Sequence, residues 1–347
     1  MRSRGQMKLL LFFFCLSFAF SCSAPSIERT NIKAPYDGKK FDNLEPFPEK
    51  SFFTLLKWRW TSRNLVEKWP DYQNRPQFKP VERSKELLVT VINHATVLIQ
   101  VDNVNILTDP HYSQRTSPVS WAGPKRVIPP SIKFEDLPSI DAVLVSHNHY
   151  DHLDLKTLKD LSERFHCPIF AGLGTAHFLE EEGISGAVDV DWWEKTILKG
   201  VDISFVPAQH WSARGLFDKR EMLWGGFYIK SEKRSVYFAG DTGYGKFFTT
   251  IRQRLGPPDL ALLPIGAYKP RWFMKNAHMN PADAVQAFLD LKAKKAVGIH
   301  FGTFQLTDEG IERPSEDLAI AKDKASLSYE SFVVPIFGKA IRPFTLK

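Results

Sequence analysis

Asp141-Ala-Val-Leu-Val145-Ser-His147-Asn-His149-Tyr-Asp151-His152-Leu-Asp154 is the stretch on which both fold and chemistry turn. Ala142 to Val145 is a short apolar run of the kind that forms a buried parallel strand. Three imidazoles and a carboxylate follow it within positions 147 to 152. Open α/β sheets keep their sites in loops at the C-terminal ends of strands, where this cluster is expected. His147 and His149 project the same way from an extended loop and suit one metal ion. Asp151 and His152 begin the next turn and suit a second. Imidazole and carboxylate are the ligands expected of zinc with an open catalytic position.

The alternative, a polar loop rich in His by chance, is disfavoured by three later segments that repeat the pattern. Val201-Asp-Ile-Ser-Phe-Val206 is strand-like and runs through Pro207-Ala-Gln to His210. Ser235-Val-Tyr-Phe-Ala239 runs into Gly240-Asp241-Thr-Gly243, where glycine permits the turn that aims a carboxylate. Ala296-Val-Gly-Ile299 delivers His300.

His-x-His-x-Asp-His behind a hydrophobic strand resembles the signature of the metallo-β-lactamase superfamily. Ala142 to Asp154, Ala239-Gly-Asp-Thr-Gly-Tyr244 and Pro264-Ile-Gly-Ala-Tyr-Lys-Pro-Arg-Trp-Phe-Met274 are similar to blocks of one branch. That branch is the N-acylphosphatidylethanolamine-hydrolysing phospholipase D family, and the likeness runs from about Phe52 to Lys347. The resemblance implies an α/β fold, a four-layer αβ/βα sandwich with an N-terminal extension. It implies that His147, His149 and His210 hold one zinc ion, that Asp151, His152 and His300 hold the other, and that Asp241 bridges them. Asp151, Asp241 and His278 form the expected catalytic set, with His278 hydrogen-bonding or protonating the phosphodiester. The implied reaction is attack of a metal-bridging hydroxide on phosphorus, giving an N-acylethanolamine and phosphatidic acid. Iron or manganese suit similar ligands, so metal identity stays open. A lactone or β-lactam substrate, and a non-catalytic lipid- or metal-binding envelope protein, are the alternative readings.

The chain departs from the family pattern in places. Ala277 and Asn280 flank His278 where Gln and Asp are usual, which bears on its orientation and on headgroup preference. Asn93 stands where Gly is usual, and the neighbouring His94 is expected to be a hydrogen-bonded structural residue.

Composition fits one globular domain: 347 residues, 43% hydrophobic and 24% charged, which excludes a disordered chain. The net charge of +7 suits an anionic partner. Nucleic acid fits that number equally well, but the N-terminus argues for export and against a nuclease. Arg2, Arg4 and Lys8 precede the apolar run Leu9 to Phe20, the form of a secretory signal peptide over 1–22. Ala19-Phe-Ser-Cys22 loosely resembles a lipoprotein cleavage box, so the expected location is a bacterial cell envelope, periplasmic or lipid-anchored through Cys22. Residues 23–50 are polar and Pro-punctuated and read as a linker, leaving 51–347 as the hydrolase domain.

Phe52-Phe-Thr-Leu-Leu-Lys57-Trp58-Arg59-Trp60 interleaves aromatics with cations. It reads either as a bilayer-interface segment or as a helix covering an open edge of the core. Expected partners are a phospholipid substrate at a membrane surface and no nucleic acid, with a homodimer left open. Asp191-Trp192-Trp193-Glu194 offers two indoles for the core or for an acyl-chain groove. Of three cysteines, Cys167 is expected to pack as a small buried hydrophobe, so no disulfide framework is implied.

Overall fold

The computed structural model describes residues 31–71 and 74–344. The expected signal peptide and Cys22 lie outside the described residues.

Helix α1 (Phe52–Thr61) leads into a first sheet made of β1 (Leu88–Asn93), β2 (Thr96–Val101), β3 (Val104–Thr108), β4 (Ala142–Val145), β5 (Ile169–Gly172) and β6 (Ala187–Val190). The strands lie side by side in chain order. The first three alternate in direction and β3 to β6 run parallel. Helices α2 (Leu155–Phe165) and α3 (Thr175–Glu181) provide the crossovers.

The second sheet begins with β7 (Lys195–Leu198), β8 (Val201–Val206), β9 (Gly226–Lys230) and β10 (Ser235–Phe238) as an antiparallel set. It continues in parallel through β11 (Leu260–Pro264), β12 (Lys295–Ile299) and β13 (Phe332–Val333). Helices α4 (Phe247–Leu255), α5 (Arg271–Met274), α6 (Pro281–Leu291) and α7 (Arg313–Lys324) accompany these strands.

Three hydrophobic clusters define the layers. One lies between the sheets and joins Val89, Ile99 and Leu144 to Phe205, Phe227, Leu262 and Val297. A second joins the outer face of the second sheet to α4, α6 and α7 through Phe248, Phe288 and Leu318. The third joins the first sheet to α2 and α3 through Val143, Leu158 and Leu179. Helix, sheet, sheet and helix layers make the expected four-layer sandwich.

Local rules account for several boundaries. α2 buries Leu158 and Leu161, spaced three apart on one face, and ends where His166 turns left-handed. α6 opens with a capping box between Asn280 and Asp283 and with Pro281 at its first position. The sequence pattern carries this helix to about Lys294, but it stops at Leu291 because Lys292 adopts φ 50°. Trp192 lies wholly in the inter-sheet core, its indole donating to the Trp224 carbonyl at 2.7 Å, while Trp193 is half-buried.

The described part of the expected linker is packed onto the domain. Phe41 is wholly buried in the inter-sheet cluster, and the Asp191 carboxylate accepts from the amides of Lys33 and Ala34. A polar, Pro-punctuated stretch still folds when its few apolar residues find a core and its amides find a carboxylate. Among the described residues no helix is long and apolar enough to cross a membrane.

Candidate metal centre

β8, β10, β11 and β12 share one direction in the second sheet, as β3, β4 and β5 do in the first. Loops from their C-terminal ends therefore meet at one rim. The β4 loop brings His147, His149, Asp151 and His152, and the β8, β10 and β12 ends bring His210, Asp241 and His300. All seven expected ligands come together there, in two groups.

In the first group His147 Nε2 lies 2.8 Å from His149 Nδ1, and His210 Nε2 lies 3.2 Å from the same atom. In the second, His300 Nε2 is 3.2 Å from His152 Nε2, and both are 3.3 Å from Asp151 Oδ2. Asp241 stands between the groups. Its Oδ2 is 3.3 Å from His152 Nε2 and 3.9 Å from His210 Nε2, and its Oδ1 is 3.0 Å from His300 Nε2.

These contacts test whether the residues fit metal ions. Ligand bonds of about 2.0–2.1 Å in a tetrahedron put neighbouring ligand atoms roughly 3.3 Å apart, close to the separations seen. Burial drives the His149 pKa down to about 4 and holds His147 and His210 well below the usual histidine range. Three neutral imidazoles then turn nitrogens toward one point. His210 commits its Nδ1–H to the Ala277 carbonyl at 2.9 Å, which leaves a lone pair on the inward Nε2. Lone pairs converging in a buried site are stabilised by a cation among them. The donor set fits metal binding.

The second group carries more negative charge. Burial alone would lower His152 and His300, but the carboxylates of Asp241 and Asp151 outweigh it. His152 is held well above the usual range, and His300 rises to about 9. Burial likewise opposes ionisation of Asp241, yet His300 and His152 keep it ionised well below the usual carboxylate range.

Gly240 makes the meeting of the two sheets possible. It has φ 60°, and a Cβ there would stand 2.6 Å from Ser146 Cβ in the β4 loop. Any side chain would force Asp241 away from the histidines.

Three residues outside the expected ligand set shape the centre. Asp109, at the end of β3, accepts from His152 Nδ1 at 2.6 Å and from the Ser146 amide at 2.7 Å. Ser146 Oγ in turn lies 2.9 Å from His147 Nδ1. His94, expected to be a hydrogen-bonded structural residue, has its Nε2 3.0 Å from Asp151 Oδ2, and its ring packs on His300. The tight β1–β2 turn, with His94 at φ 39°, points this ring into the rim. Nothing local in the sequence tells a core histidine from one aimed at a carboxylate some 57 positions later.

His278 precedes α6 and joins the rim, with Nδ1 3.6 Å from Asp241 Oδ2 and its ring 5.1 Å from that of His210. Burial lowers its pKa to about 4, so it is neutral at ordinary pH. Arg214 braces the β4 loop from outside, donating to the carbonyls of Asn148 and Leu153 at 2.9 Å each. Beyond that brace lies a groove of about 1990 Å³ lined by Tyr112, Tyr150, Phe178 and Arg214. None of the seven ligands lines it.

Comparison with known proteins agrees with this geometry. Residues 104–301 match the family model of the β-lactamase superfamily domain, a span that holds every expected ligand. An N-acyl-phosphatidylethanolamine-hydrolyzing phospholipase D from Caenorhabditis elegans is 40% identical over 73% of this chain and 75% of its own length. The Saccharomyces cerevisiae enzyme of that name is 37% identical over 62% of this chain and 48% of its own. The solved structure of a metallo hydrolase from Ignicoccus hospitalis superposes with a TM-score of 0.54 at 23% identity, covering 75% of this chain and 99% of its own. That likeness concerns the fold. Descent, fold and a rim of candidate metal ligands together make the chain a metallo-hydrolase of the β-lactamase superfamily, in the family of N-acyl-phosphatidylethanolamine-hydrolysing phospholipases D.

Proposed function

We propose that the protein is a zinc-dependent phosphodiesterase that cleaves N-acylphosphatidylethanolamine into an N-acylethanolamine and phosphatidic acid. The observation that carries this reading is the pair of ligand groups sharing Asp241, in a chain 40% identical to the nematode phospholipase D. Cations held by His147, His149 and His210 and by Asp151, His152 and His300 would supply Lewis acidity for phosphoryl oxygens and would acidify a water for attack. The oxygen of water joins phosphorus, the bond from phosphorus to the ethanolamine oxygen breaks, and that oxygen leaves protonated as the alcohol. Asp241, buried and ionised, sets the spacing of the two groups. Asp151 adds negative charge to the second group and is itself oriented by His94. His278, neutral and partly open to the rim, is placed to share a hydrogen bond with the phosphodiester.

A phospholipid surface is the proposed setting, and α1 supports it. Phe52, Phe53 and Trp60 are 68%, 79% and 78% exposed, with Lys57, Arg59 and Arg63 among them. Amphipathic rings beside cations are stable at the headgroup boundary of a bilayer. The basic head and short apolar run ahead of Cys22 support export to a bacterial envelope.

Incubating zinc-loaded protein with N-acylphosphatidylethanolamine and with a lactone, and identifying products by mass spectrometry, tests the reading. The expected products are N-acylethanolamine and phosphatidic acid. Lactone opening without phosphodiester cleavage would overturn it. Asp241→Asn is expected to lower turnover by at least about 100-fold and to reduce bound metal, as read by elemental analysis.

A further inference from the structure

A column of three side chains joins α1 to α5, the helix ahead of His278. The Trp58 ring stacks on Phe273 with centroids 4.7 Å apart, and the Lys50 ammonium sits 4.1 Å from the Phe273 centroid. Trp58 is anchored in turn, its indole N–H donating to the Asp308 carboxylate at 3.1 Å. Phe273 belongs to α5, which ends four residues before His278. Glu49, the residue before Lys50, ties this stretch to the rim, since it pairs with Lys219 over the Trp211 ring that packs on His149.

Lys50 differs from its neighbouring cation. Lys219, over the Trp211 ring that packs on His149, has Glu49 3.4 Å from its ammonium. Lys50 is half-buried, and among the described residues no carboxylate lies within ion-pair distance of it. Its partner is an aromatic face, which holds an ammonium without neutralising it. A partly desolvated cation held that way beside a hydrolytic centre is short of an anion. Burial and the nearby Lys219 bring the Lys50 pKa down to about 8, which still leaves it charged at neutral pH.

We propose that Lys50 is a substrate-positioning residue whose ammonium takes a phosphoryl oxygen of the bound diester and retains the phosphomonoester product after cleavage. This rests on the phosphodiester reading given above, and it adds a residue outside the metal motif, in a stretch whose sequence reads as linker. Phe273 and Trp58 act through Lys50 by fixing where its ammonium stands. The interaction is charge-assisted and specific in place, so removing the ammonium should weaken binding of phosphomonoesters about 10-fold.

The test uses the full-length, zinc-loaded protein and calorimetric titration with inorganic phosphate, glycerol 3-phosphate and dihexanoyl phosphatidic acid. Lys50→Met is expected to bind all three about 10-fold more weakly. Lys50→Arg should recover most of that loss. Lys195→Met, which removes a distant cation paired with Asp202, should bind as the parent does. With N-acylphosphatidylethanolamine in mixed micelles, Lys50→Met should raise KM about 10-fold with kcat changed less than about twofold. An unchanged phosphate affinity in Lys50→Met overturns the inference. So does an equal loss in Lys195→Met, which would indicate only a diffuse field, or a failure of Lys50→Arg to rescue at unchanged melting temperature. If Lys50→Met loses phosphate affinity but the parent cleaves no N-acylated phospholipid, the substrate reading falls and the anion site stands. If the parent cleaves that lipid and Lys50→Met is unaffected in both assays, the anion site falls alone.

Discussion

Asp109 holds His152 Nδ1 at 2.6 Å, and through the Ser146 amide and hydroxyl it also steadies the residue before His147. One wholly buried carboxylate thus orients ligands of both groups. Outer partners of this kind commonly control metal affinity by about 10–100-fold. Asp109→Asn keeps the shape but removes the charge, so a loss in that range is expected for the second group, measured by competition with a chelator. Wild-type affinity in that variant would show that Asp109 only fills space. The seven expected ligand positions were legible in the sequence through the family resemblance, and because polar side chains crowd the ends of apolar runs. The role of Asp109 was not legible. A carboxylate 43 positions from its partner histidine has no local signature of the contact.

Helices and strands were the best-read scale. β4, α2 and β8 follow from apolar runs and periodicity alone, because each buries one predictable set of side chains. α1 was open between two readings, and its residues divide between them. Trp58 packs on Phe273 and bonds Asp308, so it covers the domain edge. Phe53 and Trp60 face solvent, and no residue of the helix is buried. Identity and spacing do not distinguish these indoles, since which one meets Phe273 depends on where α5 lies. The double variant Phe53→Ser/Trp60→Ser is expected to partition about 10-fold less onto anionic vesicles by sedimentation. Its melting temperature should match the parent's, because those side chains bury little area in the fold. Unchanged partitioning would remove α1 from the lipid-facing surface.

Across the whole molecule, joining the two sheets is what builds the centre. Asp141, just ahead of β4, accepts from Arg83 and from the Asn105 amide in the first sheet. It also accepts from Lys199, in the turn between β7 and β8 of the second. Burial raises its pKa, but these donors outweigh that and hold it below its ordinary value of 3.8. A carboxyl with a depressed folded pKa stabilises the protein above its ordinary value and loses that contribution as pH falls through the folded one. Asp141→Ala is therefore expected to cost about 2 kcal/mol by denaturant unfolding at neutral pH, a figure kept low because Lys199 is mostly exposed. The gap from the parent should narrow only in acid below 3.8. A gap that narrows on the alkaline side would exclude the carboxylate as its cause.

By itself the sequence determined the kinds of element and the polar residues each strand end would carry, because apolar runs must be buried and polar clusters follow them. It also carried the family likeness. Only the tertiary structure decided that residues before position 50 pack onto the domain, that His94 faces Asp151, and that Lys50 stands over Phe273. Those facts depend on which surfaces meet when two sheets close on one core, and no local run of residues specifies the contacts made across that closure.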